Sequence, residues 1–230
     1  MNFLITGHSS GLGKALTILL LKKNHSVYGI SRSKSNLLIE EIVCDLSDLD
    51  SVKTRACKFV ESITRIDYAF LNAGTLGEIK KAKDVSIESF SSSIQINVFS
   101  NKLLIDTLLS MKNPCKNIIT ISSGAALSPK DGWFEYCITK SSLKMMTEQY
   151  AIENQETKFI SLAPGVIKTK MQDSILLADP SKFKSVKKFH DMYDSLPSPE
   201  DISKNILDFI EHNIDDVKSG DYFDLRQIND

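Results

Sequence analysis

The sequence predicts an α/β fold: a doubly wound, seven-stranded parallel sheet with helices on both faces, in a single domain. Three observations predict it. Short apolar runs rich in β-branched residues alternate with longer stretches of helical period. Several of those runs are hydrophobic without alternation, as expected of strands buried on both faces. A glycine-rich turn links the first run to the first helical stretch, where a sheet of this kind opens its ligand crevice.

The strand candidates are residues 2–6, 26–31, 39–44, 68–71, 117–122, 158–162 and 222–225. The first ends in Thr6-Gly7-His8-Ser9-Ser10-Gly11-Leu12-Gly13 and runs into a helical stretch. Glycines there let the backbone approach a pyrophosphate, and the N–H groups and dipole of the helix favour its charge. The second strand ends in Ser31-Arg32, where a site preferring NAD places a carboxylate against the ribose 2′-hydroxyl. A guanidinium in that place suits the 2′-phosphate of NADP(H). After the third strand, Ser47 is the expected N-cap of a helix whose stripe is Val52, Ala56, Phe59, Val60 and Ile63.

The fourth strand ends in Asn72-Ala73-Gly74, and Asn97 lies in the long helical run beyond it. The fifth ends in Ser122-Ser123-Gly124, whose hydroxyls can bond a carbonyl oxygen. Tyr136 and Lys140 follow at a spacing of four, so that a helix brings phenol and ammonium onto one face. A positive neighbour favours the phenolate, so Lys140 is expected to move the Tyr136 pKa down. Trp133 and Phe134 either wall an apolar pocket or simply pack a loop. The sixth strand ends in Pro164-Gly165-Val166-Ile167-Lys168-Thr169. The least patterned stretch, 170–196, is read as a mobile segment over the substrate site. Ser198-Pro199-Glu200-Asp201 then supplies a cap, a proline at the first helical position and two acids, ahead of the stripe Ile202, Ile206, Phe209 and Ile210.

Composition narrows the partners. A chain of 230 residues, 42% hydrophobic and 25% charged, suits one globular domain with a sizeable core. No repeat, low-complexity tract or long linker divides it. The formal net charge of −1 offers no cationic excess for a nucleic acid or an anionic membrane, and the lysines of 182–188 read as a solvated helix face. No apolar run approaches the roughly 20 residues of a membrane span. Cys44, Cys57, Cys115 and Cys137 have no metal-ligand spacing and read as free thiols. With no signal-peptide pattern after Met1, a cytoplasmic location is expected.

In their order and spacing these motifs resemble the short-chain dehydrogenase/reductase family over essentially the whole chain. The resemblance implies a Rossmann-type sheet, with a dinucleotide-binding part over about 1–115 and a catalytic and substrate part over about 116–230. Gly7, Gly11 and Gly13, with Ser9, Ser10 and Leu12, would form the pyrophosphate turn. Ser31 and Arg32 would meet the adenosine ribose, Asp45 and Leu46 the adenine, and Asn72, Ala73 and Gly74 would border the cofactor. Pro164, Gly165, Ile167 and Thr169 would hold the nicotinamide end. Ser123, thirteen residues before Tyr136, is implied to orient a substrate carbonyl. Lys140 would bind the nicotinamide ribose, and Asn97 a water-linked proton path. Ser10 departs from the basic residue that NADP-dependent members often carry, leaving Arg32 as the main phosphate contact.

Within the family, Ser122-Ser123-Gly124-Ala125-Ala126, Gly132-Trp133 and Ser219-Gly220-Asp221-Tyr222 are similar to the benzil reductase and sepiapterin reductase branch. The activity implied is NADPH-dependent reduction of a ketone or aldehyde, with Tyr136 as proton donor, on aromatic or dicarbonyl substrates, in a homodimer or homotetramer. Two alternatives stand beside it: a ketoreductase or dehydrogenase of a lipid or polysaccharide pathway, and a non-catalytic NADP-sensing protein.

Overall fold

A computed structural model describes residues 1–229. Seven parallel strands form one sheet: β1 (Asn2–Thr6), β2 (Ser26–Ser31), β3 (Glu40–Val43), β4 (Tyr68–Leu71), β5 (Asn117–Ile121), β6 (Lys158–Ala163) and β7 (Tyr222–Asp224). Their order is β3-β2-β1-β4-β5-β6-β7, so the chain winds outward from β1 and then returns to its other side. The crevice of such a sheet opens between β1 and β4, outside the carboxyl ends of the strands. Every predicted strand is present, with ends moved by one residue at most.

The helices are α1 (Gly11–Lys22), α2 (Leu49–Ser51), α3 (Lys58–Ser62), α4 (Ile87–Ile94), α5 (Ser100–Ser110), α6 (Phe134–Glu153), α7 (Lys170–Leu176), α8 (Lys184–Met192) and α9 (Pro199–Asp208). They cover both faces because successive strand residues point to opposite sides. In β1, Phe3 and Ile5 join a core with Leu16 and Leu20 of α1 and Ile206 of α9. Leu4, between them, joins the opposite core with Val52, Val60 and Leu104. Ile202, Ile206, Phe209 and Ile210 are all buried, as their spacing predicts. Ser198 caps α9 by accepting from Asp201 N at 3.1 Å, with Pro199 inside the first turn.

One local expectation is corrected. Asp48, and not Ser47, caps α2 by accepting from Ser51 N at 3.0 Å. Ser47 instead bonds Asp45 Oδ1 through its amide at 2.9 Å and its hydroxyl at 2.8 Å, an Asx-type turn that competes with capping. The stretch 170–196, the least patterned in the sequence, contains α7 and α8. Its pattern is faint in sequence because each helix is short and buries few residues: Ile175 in α7, Ser185 and Val186 in α8.

Candidate active site

The turn after β1 is shaped by backbone contacts. Gly7 has φ +72°, and a Cβ there would lie 2.9 Å from Asn72 Nδ2 and 3.1 Å from Ala73 Cα. A Cβ on Gly13 would lie 2.4 Å from the Gly7 carbonyl oxygen, so α1 can start this close to β1 only with glycine. Ser10, the residue before α1, makes no side-chain cap, and the first turn of the helix carries no acid. That leaves a helix N-terminus suited to an anion, which fits a pyrophosphate.

Asn72 closes the opposite wall. Its amide donates to Thr6 O at 2.9 Å, and Ala73 N donates to Thr6 Oγ1 at 3.0 Å, so β1 and β4 are tied together where they flank the crevice. Thr169, beyond β6, reaches the same turn: a Cβ on Gly11 would meet its Cγ2 at 3.5 Å. Ile167 is buried in the core beside β1 and β5. At the end of β2, Ser31 is buried and Arg32 is exposed. Asp45 is exposed, and its pKa is lowered, first by the Ser47 amide and also by Arg32. Leu46 is buried.

The catalytic candidates meet at the same edge. Tyr136 and Lys140 lie one turn apart in α6, both buried, with Lys140 Nζ 5.6 Å from the Tyr136 ring centroid. Ser123 lies close enough to Tyr136 for its hydroxyl to lower the phenol pKa, and its Oγ accepts from Ala125 N at 3.2 Å. Its neighbour Ser122 is buried with an unpartnered hydroxyl. Lys140 Nζ donates to the Ile121 carbonyl at 2.6 Å. A Cβ on Gly74 would lie 3.1 Å from Asn97 Oδ1 and 3.6 Å from Lys140 Nζ, which puts those three residues side by side.

Asn97 sits in a π-helical turn, Gln95–Phe99, between α4 and α5. Such turns are frequent at functional sites. Its side chain is fully engaged: Oδ1 accepts from Thr75 N at 2.8 Å, and Nδ2 donates to Thr75 O and Thr139 Oγ1, each at 2.9 Å. Asn101 Nδ2 donates to the Asn97 carbonyl at 2.8 Å.

The expected downward shift of Tyr136 is corrected. Burial pushes its pKa up to about 12, and the nearby Ser123 hydroxyl offsets only part of that. Burial also lowers Lys140 to about 8. Desolvation penalises the charged form of both groups, and the Lys140 ammonium is bonded to a backbone carbonyl. Tyr136 is thus held as a neutral phenol at pH 7.

Several supporting residues had no role in the sequence reading. Thr139 orients Asn97, and Glu135, fully buried, accepts from Glu78 N at 3.1 Å, from Ser89 Oγ at 2.9 Å and from Ser93 Oγ. Glu135, Thr139, Leu143 and Thr147 recur every four residues along the buried face of α6. Polar residues on that stripe were the available signal. Trp133 is buried edge-on to Tyr136, with ring centroids 6.0 Å apart, and packs on Phe189 of α8 at 4.7 Å. Phe134 turns to Phe90 of α4 at 5.2 Å. A cleft of about 420 Å³ beside the N-terminus of α6 is lined by Gly132, Phe134, Cys137, Ile138 and Phe183, and none of the four catalytic candidates borders it.

The short chain dehydrogenase family model matches residues 2–179. This chain belongs to the short chain dehydrogenase family. It is an oxidoreductase of a family that uses nicotinamide cofactors. It is 28% identical to a benzil reductase ((S)-benzoin forming) of Bacillus subtilis (strain 168), over 98% of each chain. An NADPH-dependent pterin aldehyde reductase of Arabidopsis thaliana is 30% identical over 74% of this chain and 76% of its own. The crystal structure of a Saccharomyces cerevisiae short chain dehydrogenase/reductase superposes with a TM-score of 0.86 at 25% identity, covering 97% of this chain and 95% of that one. Among the described residues, no helix of this family member is long and apolar enough to cross a membrane.

Proposed function

We propose that this short chain dehydrogenase is an NADPH-dependent carbonyl reductase acting on aromatic or dicarbonyl ketones and aldehydes. The observation that carries the reading is the cluster of half-buried Ser123 with the buried Tyr136 and Lys140, at the edge of the sheet that also carries the glycine-rich turn. The cofactor, when bound, supplies the hydride. Gly7, Ser9, Ser10, Gly11, Leu12 and Gly13 hold its pyrophosphate, with Asn72, Ala73 and Gly74 along one side and Pro164, Gly165, Ile167 and Thr169 at the nicotinamide end. Asp45 and Leu46 flank the adenine.

The Ser123 hydroxyl orients the substrate carbonyl. The Tyr136 phenol, protonated at pH 7 because burial raises its pKa to about 12, gives its proton to the developing alkoxide. Lys140 holds the ribose, and its positive charge stabilises the phenolate that remains. Asn97, bonded to Thr75 and set beside Gly74 and Lys140, supports a water-linked path that returns the proton through Lys140. Preference for NADPH rests on Arg32 at the end of β2, beside Ser31 and with no acid in 32–39. The NADPH-dependent Arabidopsis relative supports it.

The substrate class rests on an apolar wall of Leu76, Trp133, Ile175 and Val186 around Tyr136, with Phe189 packed behind it. The stretch 170–196 supplies part of that wall and is the covering segment in this reading. The benzil reductase relative supports the class. The exposed Phe99, Ile138, Met145 and Ile152 on the helices that carry Asn97 and Tyr136 support a homodimer or homotetramer. The free Cys44, Cys57 and Cys115 fit a reducing cytoplasm.

The test is NADPH oxidation over a panel of benzil-like diketones, pterin aldehydes, acetoacetyl thioesters and sugars, with Tyr136→Phe as control. The variant is expected to bind NADPH normally and to lose about 10³-fold or more in kcat. Turnover of acetoacetyl thioesters or sugars alone would replace the substrate class. NADPH binding with no turnover of any substrate would make the protein a sensor.

A further inference from the structure

His8 is the one aromatic side chain in the glycine-rich turn, and it is fully buried. Its ring fills the space beside Gly29 of β2, where a Cβ would lie 2.5 Å from the imidazole. Beyond β2 its Nε2 meets Glu41 Oε2 of β3 at 2.5 Å. The Glu41 carboxylate in turn accepts from Ser35 N, at 2.9 Å and 3.1 Å. Ser35 belongs to the loop 32–39 that carries Arg32. A second tie closes the loop from above: Ser33 Oγ donates to Ser9 Oγ of the turn at 3.2 Å, and Ser31 Oγ donates to Ser33 O at 2.5 Å.

Gly29 and His8 thus fit as a pair, in a central strand where glycine otherwise weakens the sheet. Burying an imidazole whose Nδ1 has no partner costs further stability. That cost brings a fixed path from the pyrophosphate turn, under β2, to the loop at the adenosine end. Along it Glu41 is engaged from both sides and only 11% exposed, which holds an acid away from the loop's outer face where a phosphate would lie.

We propose that His8 is a positioning residue for cofactor selection: through Glu41 and the Ser35 amide it holds the 32–39 loop so that Arg32 meets a ribose 2′-phosphate. The inference rests on the NADPH reading above. A brace serving stability alone would affect all adenine nucleotides equally, whereas the His8–Glu41–Ser35 path ends at the loop bearing Arg32.

The experiment is calorimetric binding of adenosine 2′,5′-bisphosphate and adenosine 5′-monophosphate to the ligand-free protein, with hydrogen exchange at the Ser35 amide. His8→Ala is expected to weaken the bisphosphate about tenfold, equivalent to about 1.4 kcal/mol, and the monophosphate less than about twofold. Exchange at Ser35 should rise at least about tenfold. His8→Gln, which can still donate to Glu41, should recover most of the selectivity. Should His8→Ala fail to fold, His8→Phe keeps the ring over Gly29 without the hydrogen bond and should show the same selective loss. Equal weakening of both nucleotides, or an unchanged Ser35 amide, would overturn the inference. Arg32→Ala separates the two readings. Selective loss of the bisphosphate there, with none in the His8 variants, sinks the role of His8 alone, while no loss in Arg32→Ala sinks the NADPH reading and this inference with it.

Discussion

The two ends of the crevice are built from different materials. The turn after β1 is a backbone device: Gly7 and Gly13 are needed because Asn72, Ala73 and the Gly7 carbonyl approach within about 3 Å of where a Cβ would stand. The α6 end is a side-chain device, in which Glu135, Tyr136, Thr139 and Lys140 are buried and held by partners from β5, α4 and the 75–78 segment. The first tolerates no added atom. The second depends on polar partners drawn from distant parts of the chain. Binding of a common cofactor needs only a shape and a dipole, whereas proton transfer needs groups whose ionisation is set by burial.

The contrast predicts how each end fails. Gly13→Ala places a Cβ 2.4 Å from a backbone oxygen, so α1 must shift away from β1. Its expected cost is about 3 kcal/mol in stability together with at least a 100-fold loss of nucleotide affinity, read by chemical denaturation and calorimetry. A variant that unfolds normally and still binds nucleotide would break the comparison.

At the other end, Glu135→Ala strands the Ser89 and Ser93 hydroxyls and the Glu78 amide in the interior. We expect about 2–3 kcal/mol of destabilisation with cofactor affinity nearly intact, the inverse of the glycine variant.

Lys140→Met should act in opposite directions on function and stability. Turnover falls by about 100-fold or more, while the apoprotein gains about 1–2 kcal/mol at pH 7 because a buried ammonium is removed. The sign follows from the ionisation. Lys140 titrates near 8 when folded and near 10.5 otherwise, so the unfolded chain binds more protons between those values and wild-type stability rises with pH there. From about pH 10, Tyr136 opposes this, since its folded value near 12 exceeds 10 and its contribution is lost as pH rises. The stability gap between Lys140→Met and wild type should therefore narrow from pH 7 to pH 10. A constant gap in denaturation midpoints would show that burial does not lower the pKa of Lys140 in the folded protein.

The smallest effect belongs to Ser122→Ala. Its hydroxyl is buried without a partner, so the substitution should leave stability within about 0.5 kcal/mol or raise it, and turnover within about threefold. A large loss of turnover would transfer the carbonyl-orienting role from Ser123 to Ser122.

How much was legible from sequence differs between the same two ends. The turn, the strands and the α9 cap are local: glycine spacing, continuous apolar runs and Ser198-Pro199 each specify their conformation within a few residues. The α2 cap slipped by one residue because Asp45, Ser47 and Asp48 all compete for nearby amides. Glu135 and Thr139 went unread because their partners lie 42 to 57 residues away in sequence. His8 was visible in the turn, but nothing local joins it to Glu41.

By itself, then, the sequence determined the α/β class, the strands, the glycine-rich turn and the pairing of Tyr136 with Lys140. Periodicity, glycine sterics and the pitch of a helix act over short stretches of chain. Only the tertiary structure decided the ionisation of that pair and the partners that hold the site. Those depend on which distant groups exclude water from Tyr136, and burial reversed the direction that a neighbouring charge alone would impose.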